Sequence, residues 1–541
     1  MWQQNYTPLA GGLALSALVA AIPIFALLYL LGIRRKPAWT ASLFALFAAA
    51  VVAAAVYRMP AAPLAASILY GAAFGLFPIG WVVFSAILLY RVTLESGKFE
   101  IVKDSVGRLT DDRRLQALLI AFAFGAFIEG AAGFGTPVAV AAAMLTGLGF
   151  SPFYAAAICL LANTAPVAFG SIGIPVVTLA AITGLPLDRI SAGVGRICAP
   201  VSLIVPAYLI AVMGGWKALR GVLPAAAVCG IVFGGVQLLV SNLVGPQLTD
   251  ILASLAAMGA LVALFKLWKP RDRFTLEGPH TPPAPHPQHS AGALLSAWGP
   301  YGLLVIFVLL WGYKPVQTHL GSANLVFNWP WLHNAIQRMP PAAGKPAPYP
   351  ALYTFNWLGA SGTACLLAAI ASALWVRMPA RRFARVFAHT VRQLLPAEAT
   401  LATVLGLAFL MNYSGATATL GLAFAATGTL FPFFSALLGW LGVFLTGSDT
   451  SANALFGNLQ VVTAHKLGMN PVLMAASNSS GGVMGKMISL TSIAVASAAT
   501  GMKREDESSL FRFTLRHSVL LAALIGLIVA FYAYVAPQFA P

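Results

Sequence analysis

The stretch FIEGAAGFGTP at residues 127–137 places one glutamate, Glu129, and several glycines inside a strongly apolar region. LLIAFAFGAF (118–127) leads into it and VAVAAAML (138–145) follows its proline. Backbone groups that leave a helix within the hydrocarbon of a membrane are costly unless protein or water pairs with them. The stretch therefore predicts a chain bend that is buried in protein or faces a watery cavity.

The composition indicates that the surrounding solvent is a lipid bilayer. Of the 541 residues, 59% are hydrophobic and 9% are charged, whereas soluble domains carry roughly a quarter charged residues. Apolar runs close to the ~20 residues needed to cross a bilayer recur along the whole chain. We therefore expect a single polytopic membrane unit over residues 1–541. The first run, 8–33, lacks the flanks of a signal peptide and is expected to remain as a helix.

The net charge of +17 follows from where the basic residues lie. Of the 32 Lys and Arg residues, 24 fall into six clusters, at 34–36, 91–114, 217–220, 266–273, 377–392 and 503–516. All six share the cytoplasmic side if the chain crosses the membrane about twelve times and both termini are periplasmic, which is the positive-inside bias. We interpret the charge as a topology signal and predict no nucleic-acid partner.

The sequence predicts twelve crossings and two long loops. The crossings are predicted near 9–33, 39–57, 64–90, 152–184, 198–214, 221–242, 248–268, 298–313, 351–376, 396–413, 470–501 and 518–536. Residues 314–350 are predicted to form an outer loop. Residues 270–297, which contain PHTPPAPHPQH, are predicted to form a cytoplasmic Pro/His-rich loop rather than a metal site. The four cysteines lie in apolar segments and are interpreted as packed thiols.

Two stretches are too long and too polar at their centres to be ordinary crossings. Residues 117–150 carry EGAAGFGTP at the apex, and residues 433–468 carry TGSDTSANALFGN. A backbone turn at that depth survives only inside protein or beside a cavity. Both stretches are therefore predicted to be re-entrant hairpins.

The segments that follow the two hairpins resemble each other. The first continues as ANTAPVAFGSIGIP (162–175) and the second as SNSSGGVMGKMISL (477–490), and each places an Asn-hydroxyl pair before a Gly-polar pair. This order predicts two repeats, 64–184 with a broken helix at 152–184 and 396–501 with a broken helix at 470–501. Seven crossings separate the two hairpins. Because this number is odd, the second repeat is predicted to have the opposite orientation in the membrane. The predicted fold class is thus an all-α polytopic protein with inverted-topology repeats, in which substrates bind at broken helices near the midplane.

Half-helix N-termini in such breaks attract anions through free N–H groups and the helix dipole. Polar or glycine residues of these segments could bind a small carboxylate, although Ser, Thr and Asn also cap helix ends by default. The predicted substrate-binding residues are Gly133, Gly135, Thr136, Asn163, Thr164, Ser171, Ser448, Thr450, Ser451, Asn453, Asn478, Ser479, Ser480 and Lys486.

Only two acidic residues, Glu129 and Asp449, are expected deep in the predicted core, one at each hairpin apex. Carboxylates at such depth must be neutralised, paired or hydrated, and we predict that these two couple transport to protons. Lys486 is expected either to meet a substrate carboxylate or to form a purely structural ion pair with Asp449. Asp250 is expected at an outer helix end, in water. No metal or organic cofactor is predicted, and proton is the expected coupling ion.

EGAAGFGTP, NTAPVAFGSIGIP, GSDTSANALFGNLQ, NSSGGVMGKMIS and GLFPIGW (75–81) are similar to signature segments of the L-lactate permease family. The resemblance extends over essentially the whole chain. It implies a transporter of the bacterial inner membrane that takes up lactate, and often glycolate, together with protons. It also implies a distant relation to ion transporters built from paired hairpins and inverted repeats. The chain departs from the family where MIS is followed by Leu490-Thr491 in place of Pro-Gln.

The leading hypothesis is proton symport of a short 2-hydroxymonocarboxylate such as L-lactate, glycolate or D-lactate. A sodium-coupled carboxylate symporter, with Asp449 as a sodium ligand, is an alternative. An intramembrane enzyme is less favoured, because the sequence shows no nucleophile–base pair and no metal-binding cluster. A channel fits the repeated hairpins less well than alternating access does. The expected partners are a small carboxylate and the lipid bilayer, and the sequence carries no information on oligomeric state.

Overall fold

The computed structural model describes residues 1–9, 11–133, 135–272, 274, 289–342 and 345–541. Within these ranges, eleven helices are long and apolar enough to span a membrane, or twelve if one bent pair counts as a span. They are Leu13–Ile33, Ala38–Ala55, Ala61–Glu95, Arg113–Ala131, Leu187–Leu243, Thr249–Leu267, Ala291–Gly312, Ala380–Ser414, Ala416–Thr446, Pro471–Thr500 and Glu507–Tyr534. The bent pair is Pro152–Ala162 with Val167–Thr183, at 65°. The protein is therefore an all-α polytopic membrane protein.

The first hairpin, hereafter hairpin 1, consists of the helices Arg113–Ala131 and Thr136–Gly147. The Arg113 guanidinium donates a hydrogen bond to the carbonyl of Leu148, so both ends of hairpin 1 lie on one face of the molecule. Asp112 caps its first helix by accepting a hydrogen bond from the backbone N–H of Arg114 at 2.8 Å. The chain thus enters the protein and returns without crossing it.

The second hairpin, hairpin 2, consists of the helices Phe431–Thr446 and Asp449–Leu467. Its arms are joined by Ser435 and Gln460: the Ser435 hydroxyl donates to Gln460 Oε1 at 2.7 Å, and Gln460 Nε2 donates to the Ser435 carbonyl at 2.9 Å. A further short helix, Ala416–Phe424, precedes it, in a segment for which the sequence pattern predicted no element.

The two hairpins open on opposite faces. At the open end of hairpin 1, Arg114 bonds the carbonyl of Ala218, in the bend at Gly214 and Gly215 between the two crossings of Leu187–Leu243. At the open end of hairpin 2, Asn470 donates to the carbonyl of Pro541 at 2.7 Å. That C-terminal segment contacts the other ends of the same two crossings, through Arg196. The second repeat is therefore inverted relative to the first.

Each hairpin is followed by a broken helix. Broken helix 1 consists of Pro152–Ala162 and Gly170–Thr183, and broken helix 2 of Pro471–Lys486 and Leu490–Thr500. The second arm of hairpin 1 packs against the second half of broken helix 2, and the second arm of hairpin 2 packs against the second half of broken helix 1. This reciprocal packing joins the two repeats into one body, hereafter the core.

The helices Leu13–Ile33, Ala38–Ala55, Ala61–Glu95 and Ala380–Ser414 pack on one another and form a scaffold beside the core. Ser361–Trp375 and Ala291–Gly312 extend this scaffold. The helix Ala291–Gly312 begins within the predicted loop 270–297, whereas residues 275–288 lie outside the described residues. A short helix, Lys98–Gly107, precedes hairpin 1.

The predicted outer loop contains regular structure. It holds the helix Lys314–Gly321 and the strands Leu325–Asn328, Ile336–Arg338 and Ala347–Pro348. A further strand, Leu352–Phe355, occupies the start of the predicted crossing 351–376, whose helix begins only at Ser361, so that boundary was wrong. The N-terminal strand Trp2–Gln3 pairs in parallel with Ile336–Arg338, and Leu325–Asn328 pairs antiparallel with Leu352–Phe355. The pairing of Trp2–Gln3 with Ile336–Arg338 spans more than 300 residues and leaves no periodic signal in the local sequence, so the sequence predicted an outer loop but not its strands.

Candidate functional site

A cavity of about 270 Å³ lies between the core and the scaffold. The core supplies its polar wall, and the scaffold supplies an apolar wall that includes Leu27, Leu31 and Leu401. Polar or charged lining residues are Glu129, Ser171, Thr400, Thr446, Ser448, Asp449, Thr450, Ser451, Lys486, Thr491 and Ser492. A mostly apolar cavity with a few convergent polar groups is the usual form of a small-molecule site.

Four helix N-termini converge on this cavity. They belong to Thr136–Gly147 through Gly135, Gly170–Thr183 through Gly170, Asp449–Leu467 through Ser448, and Leu490–Thr500 through Thr491. Each N-terminus presents free N–H groups and the positive end of a helix dipole. Because each repeat contributes two of them, the inverted symmetry of the fold concentrates positive potential at one point.

Broken helix 1 reaches the cavity through an unusual backbone. Ser171 and Ile172 have φ of 47° and 60°, in the left-handed region that side chains other than glycine rarely adopt. The Ser171 hydroxyl donates to the carbonyl of Ala132 at 3.1 Å, which ties the broken helix to the apex of hairpin 1. Backbone strain of this kind occurs mainly where function requires a defined geometry.

Glu129 is 4% exposed and accepts a hydrogen bond from Asn163 Nδ2 at 2.9 Å. Its carboxyl group lies directly against Gly170, where a Cβ atom would approach Oε1 to 2.5 Å. The hairpin acid therefore fits into the break of the helix in its own repeat, and only glycine leaves room for it.

Asp449 has an equivalent environment in the second repeat. It is 3% exposed and accepts hydrogen bonds from the Ser479 hydroxyl at 2.6 Å and from Asn453 Nδ2 at 3.3 Å. A Cβ atom at Gly482 would collide with its Oδ1 atom. Each hairpin acid is thus bound to the Asn-hydroxyl pair of its own repeat, Asn163-Thr164 for Glu129 and Asn478-Ser479 for Asp449.

Lys486 lines the cavity from the end of the first half of broken helix 2. Its Nζ atom donates to the carbonyl of Gly447 at 2.7 Å. Among the described residues it forms no ion pair with Asp449 within 4.0 Å, which counts against the alternative of a purely structural pair. The amine lies next to the cavity, where its protonated form would add to the positive potential of the helix dipoles.

Asp250 was expected in water at an outer helix end, and this expectation is also wrong. The residue is 1% exposed and packs directly against Gly130 of hairpin 1. A Cβ atom added at Gly130 would lie only 2.9 Å from the Cβ atom of Asp250. Neither carboxyl oxygen has a hydrogen-bond partner in the described part of the chain. The loop before it dips into the protein, since Pro246 packs against Gly173 in broken helix 1. Hydropathy alone could not reveal this dip.

The remaining predicted residues fall into two groups. Gly135, Ser171, Ser448, Thr450 and Ser451 line the cavity, together with Glu129, Asp449 and Lys486. Gly133, Asn163, Asn453, Asn478 and Ser479 lie behind these residues and support them. Thr136, Thr164 and Ser480 are not part of the cavity wall, and the Thr164 hydroxyl bonds the carbonyl of Leu161 in its own helix.

Sequence reasoning missed several lining residues. Thr446 and Gly447 belong to the polar apex of hairpin 2, and Thr491 and Ser492 follow the interruption of broken helix 2 directly. Their position next to the motifs was the available signal. Thr400 comes from a scaffold helix with an ordinary apolar pattern and gave no signal.

A family model described as L-lactate permease matches residues 16–536, nearly the whole chain. The protein belongs to the L-lactate permease family. A Bacillus subtilis (strain 168) protein named L-lactate permease is 46% identical, and the alignment covers 97% of each chain. An Escherichia coli (strain K12) protein named glycolate permease GlcA is 43% identical, with 99% of this chain and 98% of the relative covered.

The YdaH transporter of Alcanivorax borkumensis superimposes with a TM-score of 0.45 at 15% identity, over 87% of this chain and 88% of that chain. Membership of the L-lactate permease family makes the protein a multi-pass membrane transporter and not an enzyme. The cavity between the core and the scaffold is accordingly the candidate transport site.

Proposed function

We propose that this member of the L-lactate permease family takes up L-lactate and related 2-hydroxymonocarboxylates, including glycolate and D-lactate, by proton symport across the bacterial inner membrane. The observation that carries the proposal is the convergence of four helix N-termini and Lys486 on a cavity that also contains two carboxyl groups. The relatives named for L-lactate and glycolate support the substrate class.

The substrate carboxylate would bind where the four N-termini and Lys486 point. Hydroxyl groups of Ser171, Ser448 and Thr491 lie around the same cavity and suit the 2-hydroxyl of the substrate. Leu27 and Leu401 on the scaffold wall suit its apolar end. One polar wall and one apolar wall match a small acid that has one polar and one apolar side.

A proton is the coupling ion that fits the buried acids. Moving one unit charge against 100 mV costs about 2.3 kcal/mol, and a proton on Glu129 or Asp449 cancels the charge of the substrate. Each acid accepts a hydrogen bond from an uncharged amide or hydroxyl and forms no ion pair in the described ranges. Such a carboxyl group gains and loses a proton without breaking a salt bridge.

The placement of the cavity supports movement of the core against the scaffold. The lining residue Ala38 lies shortly after the basic residues Arg34, Arg35 and Lys36, and Leu31 lies just before them. The cavity therefore approaches the face that carries the basic clusters, which the positive-inside bias assigns to the cytoplasm. The conformation is inward-facing in this proposal, with both termini in the periplasm.

The proposal is tested with purified protein in proteoliposomes, to which pH and Na⁺ gradients are imposed separately. Labelled L-lactate should accumulate when the outside is acidic and should not respond to Na⁺. Excess glycolate and D-lactate should compete, whereas a dicarboxylate should not. Accumulation that follows the Na⁺ gradient and does not depend on pH would show that sodium, and not the proton, is the coupling ion. Absence of lactate uptake would refute the substrate class.

A further inference from the structure

A second cavity, hereafter the outer vestibule, lies on the face opposite the basic clusters. It measures about 440 Å³ and shares no lining residue with the central cavity. The core contributes residues Thr183 and Asn458, and the scaffold contributes Tyr70 and Tyr413. The vestibule therefore lies along the same boundary between core and scaffold as the central cavity, but on the side from which an imported substrate arrives.

Arg338 supplies a positive charge to the outer vestibule. It ends the strand Ile336–Arg338, and its guanidinium carbon lies 4.8 Å from the centre of the Tyr349 ring. Its Nε atom is buried without a hydrogen-bond partner, and no ion pair within the described ranges includes this residue. A buried N–H group without a protein acceptor is costly, and an anion is the ligand that suits it best.

The walls around Arg338 are held in place before any ligand binds. Gln4 Nε2 donates to the carbonyls of Asn412 and Tyr413 at 2.9 and 2.8 Å. The Tyr6 hydroxyl donates to Gln4 Oε1 at 2.9 Å and accepts from the backbone N–H of Met339, next to Arg338, at 3.1 Å. The rings of Tyr349 and Tyr413 contact each other in a tilted arrangement, with centroids 4.3 Å apart. A rigid pocket loses little entropy when it binds a small ligand.

We propose that the outer vestibule is a capture site for a small monocarboxylate, which Arg338 binds before the substrate reaches the central cavity. This inference rests on the proposed function. A carboxylate offers two acceptors to the guanidinium fork and supplies the partner that Nε lacks. Aromatic rings around the fork exclude water and strengthen the contact. Movement of the core along its boundary with the scaffold would then connect the vestibule with the central cavity.

The test compares Arg338→Gln with Lys345→Gln, a matched change at an exposed cation of the same outer loop. Lactate uptake is measured in right-side-out and inside-out membrane vesicles. Loss of a charge-assisted contact should raise the KM for entry from the outer face about tenfold, equivalent to ~1.4 kcal/mol, and leave the KM from the inner face unchanged. Lys345→Gln should have the same outer-face KM as the wild type, and the outer-face KM of Arg338→Lys should lie between those of the wild type and Arg338→Gln.

An unchanged outer KM for Arg338→Gln, an equal rise from both faces, or an equal effect of Lys345→Gln would overturn the capture site. Equilibrium binding of labelled lactate to purified Lys486→Met protein separates this inference from the proposed function. A weak site that persists in this variant and disappears when Arg338→Gln is added supports the vestibule even if vesicle uptake fails. Absence of any Arg338-dependent binding refutes it even if uptake is proton-driven.

Discussion

At the scale of single residues, the site is organised around two acids in equivalent places. Glu129 is bonded to Asn163 and lies against Gly170, and Asp449 is bonded to Ser479 and lies against Gly482. The sequence predicted the depth of both acids, because each lies at the glycine-containing apex of a stretch flanked by apolar runs. It did not predict their partners, which come from another helix and depend on how the broken helices pack.

Glu129→Gln should abolish pH-driven accumulation of lactate while lactate exchange persists. Glutamine retains the shape and the contact with Asn163 but cannot exchange a proton. The measurement compares accumulation under a pH gradient with counterflow in liposomes that carry no gradient. Accumulation at the wild-type level would show that Glu129 is structural, and loss of counterflow as well would assign it to substrate binding.

Asp250→Asn should leave the thermal unfolding midpoint unchanged or slightly higher, because the polar side chain beside Asp250, Gln237, can pair with an amide as well as with a carboxyl group. Asp272→Asn is the matched change at a paired acid. Its carboxylate accepts bonds from Arg114 at 2.7 and 3.0 Å, and this guanidinium holds the pKa of Asp272 below its usual value. The thermal midpoint of Asp272→Asn should therefore fall at neutral pH, by the equivalent of about 1 kcal/mol in the free energy of unfolding.

The difference between wild type and Asp272→Asn should vanish as the pH falls through the lowered pKa of Asp272, since protonation removes the charge of the pair. A difference that is constant with pH would contradict this origin. A clear loss of stability in Asp250→Asn would show that the Asp250 carboxyl group has a partner.

At the scale of elements, the interruptions were the most predictable features. The polar and glycine-rich segments that the sequence marks at 127–137 and 446–458 contain the hairpin turns. The break at 163–169 begins at the first Asn-hydroxyl pair, and the break at 487–489 follows the second. The absence of the proline that the family resemblance implies at position 490 does not remove the second break. Ser489 caps the helix Leu490–Thr500 by accepting a hydrogen bond from the backbone N–H of Ser492 at 3.2 Å.

Leu490→Pro, which introduces the proline that the family resemblance implies, should therefore be tolerated. Leu490 is the first residue of its helix, where the N–H has no partner within the helix and the fixed φ of proline is favourable. The thermal midpoint should stay the same or rise slightly, and the lactate KM should change little. Expression, midpoint and uptake are measured beside Ile493→Pro, one turn later, whose N–H donates to the Ser489 carbonyl at 3.0 Å. That control should fold poorly, and equal damage from both changes would contradict the assigned helix start.

At the scale of the whole molecule, inversion of the repeats was predictable from counting crossings, since hairpins separated by an odd number of spans must open on opposite faces. The outer strands and the inward course of the chain before Asp250 were not predictable from the sequence, because both arise from contacts between segments distant in sequence. The same holds for the scaffold wall of the cavity. Thr400 lies in a helix whose apolar pattern does not distinguish a lipid-facing residue from a cavity-lining one.

The position of the central cavity leads to a labelling prediction for the complete transporter. Cys159, Cys198, Cys229 and Cys365 are all buried, so the native chain should react little with a membrane-impermeant maleimide. Thr400→Cys, on the scaffold wall of the central cavity, should label faster in inside-out than in right-side-out vesicles, and lactate at acidic pH should slow its reaction. Asn458→Cys, in the outer vestibule, should show the opposite sidedness.

Movement of the core predicts that the two labelling rates change in opposite directions when lactate and protons are supplied together. Movement of the core that closes the central cavity on the inner side opens the boundary next to Asn458→Cys further on the outer side, so labelling of Thr400→Cys slows while labelling of Asn458→Cys becomes faster. Labelling of both positions from one face, or rates that substrate does not alter, would be incompatible with access that alternates along the boundary between core and scaffold. A static pore would label both positions at once, so this pair of rates separates a transporter with a moving core from an open channel.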